Sequence, residues 1–543
     1  MTDNPIWRWF DDTFLDLGRQ FRWSYLPPLM VYLAAGVSGL TAIVGTFFIK
    51  EYLDLSAAFL AGLAFWAGIP WILKMPIGHL VDLLWRRKSL LVYLGASLIA
   101  ASILIMYGVI VHTAEMAAVL NAEVWFVIAT ILAPTGYVLQ DVVADAMTVE
   151  AVPAIDEHGN PYPEREIKIM HTTMQTLGRV AIIGGLVAVA ALNITMFDGV
   201  EDMSEEVKIA VYGKIYLLAL IIPLISIMGV ILGGVLLRRR ARQMEALGHD
   251  HSSIDKLLFA PDAETSPNWW ILGGSLVFAV FTVSMGVSDV AFAQEIIFVG
   301  SMAIILFLMQ RLLLELEPAA RKMLIGTAVI IFVFRAVPLT GPGVAWFEID
   351  VLDFDQQFLS VLSLIASALT LIGMFVLRPM MAKHSIAFVI VVLTIAAGIL
   401  TLPNIGLYYG IHEWTSVHTG GVVDARFIAI IDTALESPLG QIAMIPMLAW
   451  IAQNAPSHLK ATFFAVMASF TNLALSASSL GTRYMNEIYT ITREVRDRVT
   501  DAIESTADYS ELGWLLISVM LIGLIAPLLA VVVIQHSPLR THQ

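Results

Sequence analysis

The sequence predicts an all-α polytopic membrane protein, and three observations predict it. Of 543 residues, 58% are hydrophobic and only 14% charged, with a mean hydropathy of +0.79, whereas soluble domains carry about 25% charged residues. Apolar runs of about twenty residues, long enough to cross a bilayer as helices, recur along the chain. Lysines and arginines gather in alternate linkers between these runs, the asymmetry that orients spans in a membrane. Lipid cannot satisfy backbone polar groups, so such runs must be helical.

Residues 1–25 read as an amphipathic segment lying on the membrane surface. Phe10, Phe14, Leu17 and Phe21 recur at helical spacing, with Trp7, Trp9 and Trp23 nearby and Arg8, Arg19 and Arg22 between them. No small-residue cleavage site follows a short apolar core, so a signal peptide is not expected. Six spans then form an N-terminal half over 26–237, near 26–49, 55–81, 89–113, 122–150, 168–197 and 209–237. Residues 238–267 are a basic, polar central loop, and 268–318 hold two inserted spans near 268–290 and 291–316. The C-terminal half, 319–536, repeats the pattern near 319–347, 355–378, 384–406, 427–453, 459–487 and 512–536, and 537–543 are a tail.

The expectation is therefore about 14 spans with both termini cytoplasmic. On this topology about 20 of the 31 Lys and Arg fall in cytoplasmic segments. The opposite loops are acidic, as in DGVEDMSEEVK and EIDVLDFD, and hold most of the excess behind a net charge of −14. That excess does not point to nucleic acid. Cysteine is absent, which removes disulfides and thiolate metal sites.

The linker PWILKMPIGHLVDLLWRRK, 70–88, organises the rest. Its spacing G-x-x-x-D-x-x-x-R-R-K between two spans resembles the loop between helices 2 and 3 of the major facilitator superfamily. The resemblance implies that Gly78 lets two helix ends approach while Asp82 and Arg86, Arg87 and Lys88 form a cytoplasmic gate, with Glu150 at the end of span four beside it. A turn glycine with ordinary orienting charges is the plainer alternative. In the second half RPMMAKH, 378–384, falls at the equivalent place and keeps basic residues without the Gly-to-Asp spacing. Two degenerate six-helix halves around a midplane site form a transporter architecture.

Three cations stand inside spans: Lys74, Arg179 and Arg335. A cation at the bilayer centre costs about 2.5–3.5 kcal/mol on the most lenient scale, so each needs a wet cavity or a partner. Arg179 and Arg335 lie deep in their predicted spans, one in each half, and two guanidiniums facing one cavity would attract an anion. Private pairing with an acid is the alternative, and for Lys74 snorkelling or gate pairing.

Asp141 and Asp145 are four apart on one helical face, and Asp432 and Glu436 repeat that spacing in the other half. These four are candidates for proton coupling, because a carboxyl in a low-dielectric cavity can hold a proton. Capping of the basic cluster at 86–88 competes for Asp145, and simple solvation for Asp432. Gln175 and Asn472, with Gln140 and Thr471, line the same cavity or serve as interhelical hydrogen-bond glue.

Other chemistry is thin. There is no GxxxxGK[ST] phosphate loop, no His pair within a span and no serine–histidine arrangement. The chain is not expected to be an enzyme, and no cofactor or metal is called for. The partners expected are a small-molecule substrate and the lipid bilayer, with the protein acting as a monomer in the cytoplasmic membrane.

Four stretches resemble the folate–biopterin transporter family, a branch of the major facilitator superfamily. They are IPWILKMPIGHLVD at 69–82, QDVVADAMTVE at 140–150, FRAVPLTGPGVAWFEIDVLDFDQQFLS at 334–360 and APSHLKATFFAVMASFTNLALSASSLG at 455–481. The resemblance implies functional positions at Lys74, Asp82, Asp141, Asp145 and Asn472, and a folate- or pterin-like anion moved by alternating access. Lys460 stands where the family has a glutamate, Val152 replaces a basic residue, and the two inserted spans exceed the family's usual twelve. Fourteen spans and the looser Q-D-x-x-x-D pattern also resemble the muropeptide permease group, whose solutes are amphipathic. A non-transporting membrane scaffold is the alternative from another class.

Overall fold

The computed structural model describes residues 16–53, 55–153, 162–248, 250–258, 269–287, 290–314, 317–376, 385–437, 460–496 and 503–540. Nine helical stretches among them are long and apolar enough to cross a membrane.

The N-terminal half starts with α1 (Leu26–Val37) and α2 (Ala42–Tyr52), one span bent by a 3-10 turn at Ser38–Thr41. It continues through α3 (Ala57–Ile72), α4 (Lys74–Leu83), α5 (Ser89–Val111), α6 (Ala122–Ala151), α7 (Glu164–Met196), α8 (Glu205–Ala219) and α9 (Ile221–Ala246). Side chains cap the orphan N–H groups where spans begin: Ser56 accepts from Phe59 N, and Asn121 from Val124 N. The inserted pair is α10 (Trp269–Val287) and α11 (Ala293–Leu313). The C-terminal half holds α12 (Pro318–Arg335), α13 (Gly343–Asp350), α14 (Gln356–Val376), α15 (Ile386–Leu400), α16 (Leu402–Tyr408), α17 (Ile411–His418), α18 (Ala425–Glu436), α19 (Lys460–Ile488) and α20 (Leu512–Gln535). Between α19 and α20, β1 (Val495–Arg496) pairs antiparallel with β2 (Ile503–Ser505), a small exception to the all-α expectation.

Several expected boundaries shift. The span placed at 319–347 is not one helix: α12 stops at Arg335 and α13 starts at Gly343. The sequence between contains Pro338 and Pro342, which cannot donate to a helix, and Gly341, whose φ of +76° suits glycine. The run 55–81 breaks at Leu73, and the sixth span extends to Ala246. Residues 1–15, the loop 378–384, residues 438–459 and His249 lie outside the described residues.

Close helix packing within the first half rests on glycines. A Cβ on Gly95 would lie 2.6 Å from the Gly136 carbonyl oxygen, and one on Gly36 would lie 2.1 Å from that of Ile182. Those approaches bind α5 to α6 and α1 to α7. The two halves meet along two helix pairs, α3 with α19 and α7 with α14. The inserted α11 packs on α19 and α10 on α4, so the pair lies over one of these seams. There Phe65 and Ile69 of α3, Ile297 and Ile305 of α11, and Phe470 and Leu473 of α19 share one apolar cluster.

The two ends of the bundle differ chemically. One end carries Arg86, Arg87 and Lys88 and is called the basic end; the opposite, acidic end carries the loops DGVEDMSEEVK and EIDVLDFD. At the acidic end polar contacts join the halves: Lys50 pairs with Asp350, Gln356 Nε2 donates to the Tyr212 hydroxyl at 2.9 Å, and Gln357 Nε2 donates to Asp198 at 3.1 Å. Tyr509 adds a hydroxyl to Asp350, and burial together with that carboxylate pushes its pKa up, so it remains a donor at neutral pH.

Candidate functional site

The break at Leu73 positions the central cation. Pro76 has no N–H, so the Ile72 carbonyl lacks its usual helical donor, and the chain turns at Leu73 before resuming as α4. Side chains of the opposite half attend to the exposed backbone. Asn472 Nδ2 donates to the Trp71 carbonyl at 3.1 Å, and Ser469 Oγ reaches the Ile72 carbonyl at 3.5 Å. Asn472 is thus engaged at the seam, on the helical turn that precedes Lys74.

Lys74, the first residue of α4, reaches across to α6. Its Nζ lies 2.6 Å from Asp141 Oδ2 and 2.9 Å from Asp145 Oδ2. The four-residue spacing that puts both carboxylates on one face lets a single ammonium bridge them. Tyr32 of α1, which is buried, donates to Asp145 Oδ1 at 2.7 Å. Thr148 Oγ1 donates to the Asp145 carbonyl at 2.7 Å, and Gln175 Nε2 donates to Thr148 Oγ1 at 3.3 Å. Gly178 of α7 sits against the Tyr32 ring, where a Cβ would approach to 3.0 Å. One residue on, Arg179 stands within electrostatic reach of Asp141 and of the Tyr32 hydroxyl.

With both carboxylates ionised, Lys74 alone leaves one negative charge, and Arg179 brings the cluster to neutrality. Gln175 and Arg179 are exposed, and the Asp145 side chain is 48% exposed, so the cluster is accessible from outside the packed helices. This arrangement can hold an anion on Arg179, exchange a proton on a carboxylate, or do both.

Other expected positions are distributed as follows. Arg335 ends α12 half-buried, just before the helix break. Asp432 is buried and accepts from Asn404 Nδ2 at 3.0 Å, whereas Glu436, one turn later, is exposed. Lys88 pairs with Glu150 and sits 4.1 Å over the Trp85 ring. Glu150, not Asp145, therefore meets the basic cluster. Arg86 and Arg87 are exposed in the turn between α4 and α5, and Asp82 lies in α4. A Cβ on Gly78 would lie 3.9 Å from Val142, an ordinary contact, so close helix approach is supplied at Gly95 and Gly136 rather than at Gly78. Gln140 is buried, accepts from Ser226 at 2.9 Å and reaches the Val92 carbonyl at 3.5 Å, the glue role rather than the cavity role.

The sequence reading missed Tyr32. A tyrosine at helical spacing in an apolar run looks like packing, and only its meeting with Asp145 across 113 residues distinguishes it.

The sequence model of the BT1 family matches residues 35–542. The chain belongs to the BT1 family. It is a multi-pass membrane transporter, not an enzyme. A curated relative, the folate-biopterin transporter of Synechocystis sp. (strain ATCC 27184 / PCC 6803 / Kazusa), is 21% identical over 475 residues, covering 87% of this chain and 76% of its own. Among solved structures, a POT family transporter in complex with 5-aminolevulinic acid superposes with a TM-score of 0.60 at 12% identity, covering 94% of this chain and 95% of that one. A point mutant of the nucleoside transporter NupG gives 0.52 at 11% identity, covering 94% and 99%. Likeness at this identity establishes the shared major facilitator fold and nothing about solutes. Within that fold, the BT1 chain keeps its bridged lysine in the N-terminal half.

Proposed function

We propose that this BT1 protein moves a small organic anion, folate- or pterin-like, across the cytoplasmic membrane by alternating access coupled to protons. The basic end faces the cytoplasm on this reading, and one chain suffices for transport. The observation that carries it is Lys74 shared between Asp141 and Asp145 beside the exposed Arg179. An ammonium shared by two carboxylates has two nearly equivalent partners. A proton arriving on either acid leaves Lys74 paired with the other and releases the charge of Arg179 for an anion, so the cluster can load a proton and an anion together. Arg179 offers a planar fork that matches a carboxylate, and its exposure leaves it available to a solute. The printed name of the Synechocystis relative supports the folate–biopterin class as the first to test.

The test is uptake of labelled folate, pterin and muropeptide by proteoliposomes holding the full chain, with Lys74→Ala and Arg179→Gln alongside. Folate or pterin uptake that both variants lose supports the proposal. Muropeptide uptake alone replaces the solute class, and uptake of none of them in a well-folded preparation overturns the folate- or pterin-like assignment.

A further inference from the structure

Arg493 lies in the connection between α19 and β1, outside the cluster described above, and is 3% exposed. Its guanidinium is filled by backbone carbonyls of the opposite half. Nε donates to the Lys50 carbonyl at 3.0 Å, Nη1 to Leu55 at 2.6 Å, and Nη2 to Ile49 at 3.0 Å and to Leu53. Ile49 and Lys50 lie in the last turn of α2, where the helix presents its negative pole, and the Ile49 carbonyl also accepts from Leu53 N at 3.3 Å. The same guanidinium lies 4.2 Å above the ring of Trp346, a buried residue of α13 in its own half.

Every one of these hydrogen bonds crosses from the C-terminal to the N-terminal half. They require that the end of α2 and the α19–β1 connection be in contact, so they exist only while the acidic end is closed. The Lys50–Asp350 pair crosses the seam beside them. A cleft of about 360 Å³, lined by Leu55, Ser56 and Phe59 from one half and by Ile491, Thr492 and Arg493 from the other, opens next to this contact and gives water a route to it. When the halves part, water can replace the carbonyls one for one, so the contact is strong while closed yet breakable.

We propose that Arg493 is the latch of the acidic-end gate, a positioning residue whose making and breaking sets the ratio between the two access states. This rests on the alternating-access reading above. The latch acts on the ratio and touches no solute.

The native chain has no cysteine, so single cysteines report cleanly. Ala57→Cys probes the closed seam, where Ala57 is 2% exposed, and Gln175→Cys probes the exposed face near the cluster. Maleimide labelling rates are measured on purified full-length protein carrying Arg493, Arg493→Gln or Arg493→Lys, each confirmed monodisperse. The latch predicts that Arg493→Gln raises labelling at position 57 by about tenfold, since minor states populated at about 0.1–10% have that room to grow, and lowers it at 175. Arg493→Lys, keeping the charge and fewer donors, falls between and remains informative should the glutamine variant fail to fold. Rises at both positions would make Arg493 a structural strut and overturn the latch, as would no change at either. A rise at 57 with 175 unchanged would show the ends opening independently; that outcome overturns alternating access itself while leaving Arg493 as a closure of one end.

Discussion

Lys74 is surrounded by carboxylates of its own half, and Arg493 by backbone carbonyls of the other half. Both are cations withdrawn from bulk water, yet their surroundings suit different tasks. The partners of Lys74 are side-chain carboxylates, and on the proposed reading that site exchanges protons and ions while the half holding it stays intact. The partners of Arg493 do not titrate, and arginine keeps its charge throughout the physiological range, so that contact closes a seam without responding to pH. The contrast teaches that charge inside a half can be met by side chains of that half, as at Lys74, whereas charge between halves is met by backbone of the other, as at Arg493.

The largest way to break the comparison is Lys74→Ala. Removing one partner of a buried ion pair costs about 3–5 kcal/mol, and the half-exposed Asp145 places this site at the lower end. A fall in thermal stability and loss of solute uptake are expected together. Adding Asp141→Asn should restore part of the stability but not the uptake, and a double-mutant cycle followed by thermal unfolding checks this.

Arg493→Gln comes next. Hydrogen bonds to a charged group contribute about 1.5–3 kcal/mol each, but the carbonyls regain water when the seam opens, so the net loss should be about 2 kcal/mol. Because neither the guanidinium nor a carbonyl titrates between about pH 5 and pH 8, the difference from the native chain should stay flat across that range. A difference that varied with pH would implicate a titratable neighbour, such as Glu51 beside Lys50, instead.

Much of this contrast was visible in the sequence on one side and invisible on the other. Lys74, Asp141 and Asp145 stand out because ionisable groups in apolar runs are costly and need a reason. Their pairing does not, since it depends on how far α4 turns after the break at Leu73. Arg493 carries no such signal: in TREVRDR it is one arginine among three, at a span end where charge is ordinary. Its burial follows from the end of α2 arriving from 443 residues away, which no local pattern encodes. The span boundary at Arg335 was hidden as well, because hydropathy runs through to 347 while Pro338, Gly341 and Pro342 follow the helix end at 335.

Smaller effects test whether each half is rigid enough for the contrast to hold. Gly95→Ala places a Cβ 2.6 Å from a backbone oxygen, and forcing α5 from α6 should cost about 1–3 kcal/mol, measured as a shift in thermal unfolding. Gly78→Ala should change stability by no more than about 1 kcal/mol, in the stabilising direction, since helix propensity improves and the new Cβ would make an ordinary contact with Val142. Loss of transport in Gly78→Ala without loss of stability would support the gate role that the family resemblance implies for that glycine.

The most direct test of the central claim is folate uptake into proteoliposomes under an imposed pH gradient, comparing the native chain with Asp145→Asn and Arg179→Gln. The account predicts that a gradient drives accumulation in the native protein, that Asp145→Asn removes the response to the gradient, and that Arg179→Gln removes uptake. Native uptake indifferent to the gradient, or uptake preserved in Arg179→Gln, would contradict the assignment of proton and anion to this cluster.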